Sequence, residues 1–196
     1  MNKILRRYSN ITIVFLFVMI LSLFPACSGY SNFSSRYKEL DFTFEYPNAW
    51  EKGIEENLSE LVYSTILGPN TAQIQESPVK VQVSVWSGLA TNADQDTQRR
   101  ADGHVTSREK ERNFILIKQE AIMLDGMSGY QNEFTYDYDQ FYARPIEETR
   151  YIPTHEMYVT IPREGKVYEI WISASQNEWN TREKDIQHVL DTFDWK

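Results

Sequence analysis

Four valines at every second position, Val79, Val81, Val83 and Val85, with Lys80, Gln82, Ser84 and Trp86 around them, restrict this stretch to a β-strand. A side-chain period of two puts all four on one face of a pleated chain, whereas a helix would scatter them round its circumference. The same period recurs. Phe42, Phe44 and Tyr46 alternate with Asp41, Thr43 and Glu45 up to Pro47, and Leu61–Leu67 runs into Gly68-Pro69-Asn70. Further strands are expected at Phe114–Lys118 (extending to Met123 at most), Tyr130–Tyr138, Tyr151–Ile161 and Val167–Ala174. Asp125-Gly126 and Glu164-Gly165 sit between strands as turn dipeptides.

Two segments break the period. Ile186, Val189, Leu190 and Phe193 fall at i, i+3, i+4 and i+7, the spacing of an amphipathic C-terminal helix, with Asn180 as its expected N-cap and Glu183 three residues on. From Asn92 to Asn113, Val105 is the only large apolar residue among alternating charges. That pattern predicts one or two exposed helices lying loosely on the sheet, with His104 on their surface. Hairpin-linked strands with few helices make an α+β domain around an antiparallel sheet of six or seven strands.

The N-terminus says where such a domain works. Lys3, Arg6 and Arg7 precede an apolar run from Ile11 to Phe24, then Pro25, Ala26 and Cys27, the chain's only cysteine. The run is short of the ~20 apolar residues of a spanning helix and suits the core of a cleavable secretory signal. A small residue before a lone cysteine at that boundary predicts a lipoprotein signal over residues 1–26, with lipid on Cys27. Residues 27–39 are then expected to be a flexible tether, and residues 40–196 the folded domain. Removing the leader takes away three bases and no acid, so the formal charge passes from −8 to −11. So acidic a surface is repelled by nucleic acid, which is excluded as a partner, and the lipid must do the membrane holding.

No motif for catalysis appears. Nucleophile elbows, phosphate loops and dinucleotide glycine fingerprints are missing, and His155-Glu156 is followed by Val159 where a zinc-protease helix needs its second histidine. No cofactor is expected. The nearest approach to a metal pair is Asp185 with His188, three apart on the C-terminal helix, suited to zinc or manganese. Asp137, Asp139, Glu147 and Glu148 offer oxygens to calcium but no twelve-residue loop. His155 is expected to cap a strand end. Tyr136-Asp137-Tyr138-Asp139, with Tyr158, is the candidate ligand or partner surface, since aromatics beside carboxylates bind cations, sugars or proteins. In a strand its tyrosines and aspartates point opposite ways.

Three stretches resemble one family in order and spacing. They are Phe42–Trp50, with Tyr46-Pro47-x-x-Trp50; Lys166–Ser175, a strand ending in small residues; and Trp179 followed by a helix to Asp191-Thr192-Phe193-Asp194-Trp195. Together these are similar to the PsbP family, the photosystem II extrinsic proteins and their bacterial relatives, over Leu40 to the C-terminus. The resemblance implies the Mog1-like fold, an α/β/α sandwich with a central antiparallel sheet. Cyanobacterial members are lipoproteins, which suits Cys27. The expected function is a non-enzymatic binding or assembly module for a membrane protein partner, tethered outside the cytoplasm. The alternative is a small-ligand or metal-binding lipoprotein.

Overall fold

The structure is a computed structural model that describes residues 29–68, 78–87, 93–139 and 151–196. Cys27, the leader, Glu147 and Glu148 lie outside them. The first elements are β1 (Tyr30–Asn32), β2 (Phe42–Thr43), β3 (Glu45–Pro47), β4 (Glu51–Leu58), β5 (Leu61–Leu67) and β6 (Lys80–Trp86). Helix α1 (Ala93–Arg108) follows, then β7 (Arg112–Leu124), β8 (Met127–Asp139), β9 (Tyr151–Arg163) and β10 (Lys166–Ser175). Helix α2 (Gln176–Asp191) and β11 (Asp194–Trp195) complete the chain.

Turn chemistry fixes the hairpins. Asp125-Gly126 has φ of 42° and 76°, and Glu164-Gly165 has 52° and 73°. Two successive left-handed residues match the right-handed twist of the strands they join, so β7 pairs with β8 and β9 with β10. The result is a seven-stranded antiparallel sheet in the order β4-β5-β6-β10-β9-β8-β7. Two small pairs, β1 with β3 and β2 with β11, lie outside it.

Alternation then divides the sheet into two faces. Val81, Val83 and Val85 stand opposite Ile172, Ile170 and Tyr168, and Ile170 stands opposite Val159. All are buried with Ile186 and Val189 of α2. Phe33, Phe42, Phe44 and Phe193 close that side, their rings stacked in pairs 4.7–6.4 Å apart. Helix α1 covers the other face and touches β8, β9 and β10. The expected α/β/α sandwich is therefore the observed one, with helices on both sides of the sheet.

Local differences have physical causes. Strand β4 carries no apolar alternation because it is an edge strand with mostly exposed residues. The stretch expected as a tether is ordered into the fold from Tyr30 onward. Strand β1 pairs with β3, and Phe33 is 2 % exposed. The cap of α2 is Ser175, not Asn180: its hydroxyl accepts from the Glu178 N–H at 3.4 Å. Ser175 and Glu178 repeat the spacing of Asn180 and Glu183 five residues earlier in the chain, and starting there lets Trp179 cover His155. The Tyr-Pro-x-x-Trp element is a turn: the Trp50 N–H donates to the Pro47 carbonyl at 2.9 Å, and Trp50 is buried.

Candidate functional site

Helix α1 is held on the sheet by polar side chains in place of an apolar stripe. His104 faces inward: its ring stacks on Tyr158 at 3.7 Å, and its Nε2 lies 3.0 Å from Glu169 Oε2. Tyr158 stacks in turn beside Trp171, and the Lys80 ammonium sits 4.4 Å from the Trp171 ring centre. This ladder crosses from α1 over β9 and β10 to β6. The helix is single and docked, unlike the loose exposed segment its sequence predicts. Ala101 is its buried apolar contact, and its carbonyl accepts from the Asn132 side-chain amide.

Beside the ladder lies a buried carboxylate. Glu156 on β9 is 2 % exposed. It accepts from the Tyr136 hydroxyl at 2.9 Å and from Arg108 Nε at 3.2 Å, the guanidinium reaching down from the last turn of α1. An ion out of water needs such partners on each oxygen. Burial, and next the Glu156 charge, push the Tyr136 hydroxyl well above its usual range. Burial opposes the charge on Arg108, but Glu156 and Tyr136 outweigh it and hold the guanidinium protonated more firmly than usual. Arg108, Tyr136 and Glu156, with Tyr138, Trp171 and Ser173, line a pocket of about 230 Å³.

The residues singled out from sequence divide between the faces. Tyr136 and Tyr138 line the pocket, and Tyr158 lies alongside it beneath His104. Asp137 faces the opposite side of β8, where it accepts from Asn113 Nδ2 at 2.7 Å. Alternation puts Asp139 on that side too. The tyrosines and aspartates therefore form no single surface. Glu156, Arg108, Trp171 and Lys80 carry no motif that marks them in the sequence. The available signal was Glu156 as the one acid in the strand Tyr151–Arg163, since a buried acid requires a buried partner.

Tyr30 occupies the surroundings of Asp185 and His188. Its hydroxyl donates to Asp185 Oδ1 at 3.1 Å, its ring lies 3.9 Å from the His188 ring, and His188 Nε2 is 2.8 Å from Glu45 Oε2. Among the described residues, no three His, Cys, Asp or Glu side chains converge on a metal site.

His155 does not cap a strand end. It stacks on Trp179 at 3.8 Å and bonds Glu133 Oε1 through Nε2 at 2.9 Å. That bond, against the opposing effect of burial and helped by the His155 and Lys118 charges, holds the Glu133 carboxyl below its usual range. A carboxylate whose folded value is depressed adds stability above its unfolded value of about 4.3, and loses it as pH falls through the folded value. Glu133→Gln should therefore flatten the acid limb of stability below about pH 4.3. Urea midpoints measured from pH 6 to pH 3 check this, and parallel limbs for the two proteins would contradict it.

A second exposed feature is β7. It is the outer strand of the sheet and pairs with β8 alone among the described strands. Ile115, Ile117 and Met123 on it are 61 %, 46 % and 64 % exposed. Its pairing with β8 shifts register between Arg112 and Ile115 and again between Leu116 and Lys118. Such irregularities re-aim side chains at a sheet edge.

Comparison with known proteins places the fold. Cyanobacterial PsbP (CyanoP) from Synechocystis sp. PCC 6803 superposes with a TM-score of 0.51 at 16% identity, over 88% of this chain and 99% of that one. LpqN of Mycobacterium tuberculosis, described as involved in cell envelope biogenesis, gives 0.50 at 15% identity over 86% of each chain. The Ran-binding protein Mog1p of Saccharomyces cerevisiae gives 0.51 at 6% identity, over 84% of this chain and 94% of that one. At these identities the likeness is one of fold. No curated protein sequence matches the chain. The PsbP family model, however, matches residues 28–195, nearly the whole length, and on that match the chain belongs to the PsbP family.

Proposed function

We propose that the chain is a non-enzymatic binding module of the cell envelope, tethered by lipid on Cys27 and holding a membrane protein partner through β7, which among the described strands pairs with β8 alone. The exposed β7 edge carries this reading. An outer strand with exposed Ile115, Ile117 and Met123 offers main-chain groups for strand addition and apolar side chains for specificity. The envelope location is supported by the leader sequence and by the envelope role stated for LpqN. A role in binding, not catalysis, is supported by a sequence without nucleophile, phosphate-loop or dinucleotide motifs.

The spacing of anchor and fold supports it further. Tyr30, the first residue of β1, is three residues after Cys27. A lipid on Cys27 would keep the domain close to the bilayer, and a short link raises the effective concentration of the domain near membrane-bound partners.

The test is photo-crosslinking of the full chain, extracted from host membranes in mild detergent. A crosslinker at Ile115 or Ile117 should capture one membrane protein, and one at exposed Glu183 on α2 should not. Ile115→Lys should abolish capture while changing stability by no more than ~0.5 kcal/mol, the usual limit for a surface site. Recovery of the protein alone, in several detergents, would refute the reading.

A further inference from the structure

We infer that the pocket under the C-terminal turn of α1 binds a small carboxylate-bearing molecule, its carboxylate held by Lys80 and the Trp171 indole N–H. This site is separate from the β7 edge and stands whether or not that edge binds a partner.

The argument begins with donors that lack acceptors. Among the described residues four buried indole nitrogens, those of Trp50, Trp86, Trp171 and Trp195, have no hydrogen-bond partner, and of these Trp171 is the one that lines the pocket. Buried polar groups are almost always paired, so an orphan donor beside a pocket calls for an acceptor from outside. Lys80 is the direct cross-strand neighbour of Ser173, which lines the pocket, and its ammonium lies over the Trp171 ring. Among the described residues, no carboxylate comes within ion-pair distance of Lys80. Burial pulls its proton affinity down, and the more distant Glu156 only partly offsets that.

The charges around the pocket set the sign of the ligand. Glu156 is already matched by Arg108 and Tyr136, and Glu169 faces His104. Among the described residues Lys80 is the cation beside the pocket with no ion-pair partner, so an anion completes the site and a cation would be repelled. The shape favours a carboxylate on a ring. The volume of 230 Å³ is that of about eight water molecules at roughly 30 Å³ each, the size of a single sugar acid. Tyr138, 44 % exposed, and Trp171 supply aromatic walls against which a sugar ring packs. Lys80 ends a flexible stem and can swing from the indole face onto a carboxylate.

The experiment follows the indole N–H resonances of the five tryptophans in the full chain held in detergent. That of Trp171 is identified by its loss in Trp171→Phe. Titration with glucuronate should move the Trp171 resonance saturably and leave those of Trp50 and Trp195 in place. Neutral glucose should move none. Lys80→Gln should weaken glucuronate binding at least about tenfold, the worth of one charge-assisted hydrogen bond, with the other resonances unmoved as proof of an intact fold. A Trp171 resonance that stays put at tens of millimolar glucuronate overturns the inference, as does equal binding by Lys80→Gln. Inorganic phosphate shifting the same resonance equally well overturns the assignment to a carboxylate.

Discussion

Replacing Phe33 by alanine is expected to destabilise the protein by about 3–5 kcal/mol, the range for removing a buried aromatic ring from a core. Phe33 lies just after β1, in a stretch whose serines, asparagine and lack of period read as linker. Yet its ring is 2 % exposed and stacks on Phe44 at 4.7 Å and on Phe42 at 5.6 Å. The backbone is fixed as well. The Phe33 N–H donates to the Phe44 carbonyl at 2.7 Å, and the Thr43 hydroxyl donates to the Phe33 carbonyl at 3.1 Å. The rings of Phe42 and Phe44, each backed in turn by Phe193, thus close on a side chain near the N-terminus, and no neighbour can move in to fill its place cheaply. In a domain of this size the loss should lower the melting temperature by roughly 10 °C. A tether residue would give a change near zero, so thermal and urea unfolding of Phe33→Ala separate the two descriptions.

What the sequence disclosed and what it hid follow from where each element's partner lies. The valines of β6 and the hairpins at Asp125-Gly126 and Glu164-Gly165 were legible because alternation and left-handed turns are local properties. The buried side of α2 was legible for the same reason: Ile186 and Val189 mark it at helical spacing. Strand β4 was hidden because an edge strand buries no full face. Phe33 was hidden because a single apolar residue among serines has no period, and its burial depends on Phe42 and Phe44 ten residues on. The pocket was half legible. Tyr136 and Tyr138 stood out as aromatics on one face of β8. Their charged companions come from β9 and α1, and only the register of β8 against β9 brings Glu156 to them. The docked state of α1 was the furthest from view, since histidine, arginine and asparagine do the work that an apolar stripe would have advertised.

That polar docking gives the second large expectation. Arg108→Met should cost about 3–5 kcal/mol, because it leaves a buried carboxylate with its principal partner gone. The Arg108 side chain is 28 % exposed and Glu156 only 2 %. Water can therefore compensate the arginine's loss only from the rim, while the acid stays in a site that Tyr136 alone cannot satisfy. The methionine preserves much of the aliphatic stem, so lost packing is a minor part of the change and the orphaned charge the major part. The two contributions separate in a double variant. Glu156→Gln removes the charge while keeping an acceptor for the Tyr136 hydroxyl, so Arg108→Met/Glu156→Gln should be more stable than Arg108→Met alone. Equal stability of the two would mean that packing, not charge, holds α1 down. Hydrogen exchange gives the location: amides of α1 should lose protection in Arg108→Met before those of β9 and β10, because the helix is the outer layer and Arg108 ties its end to the sheet. If α1 and the sheet lose protection together, the helix is part of one cooperative unit, and the ion pair stabilises the whole domain instead of a detachable layer.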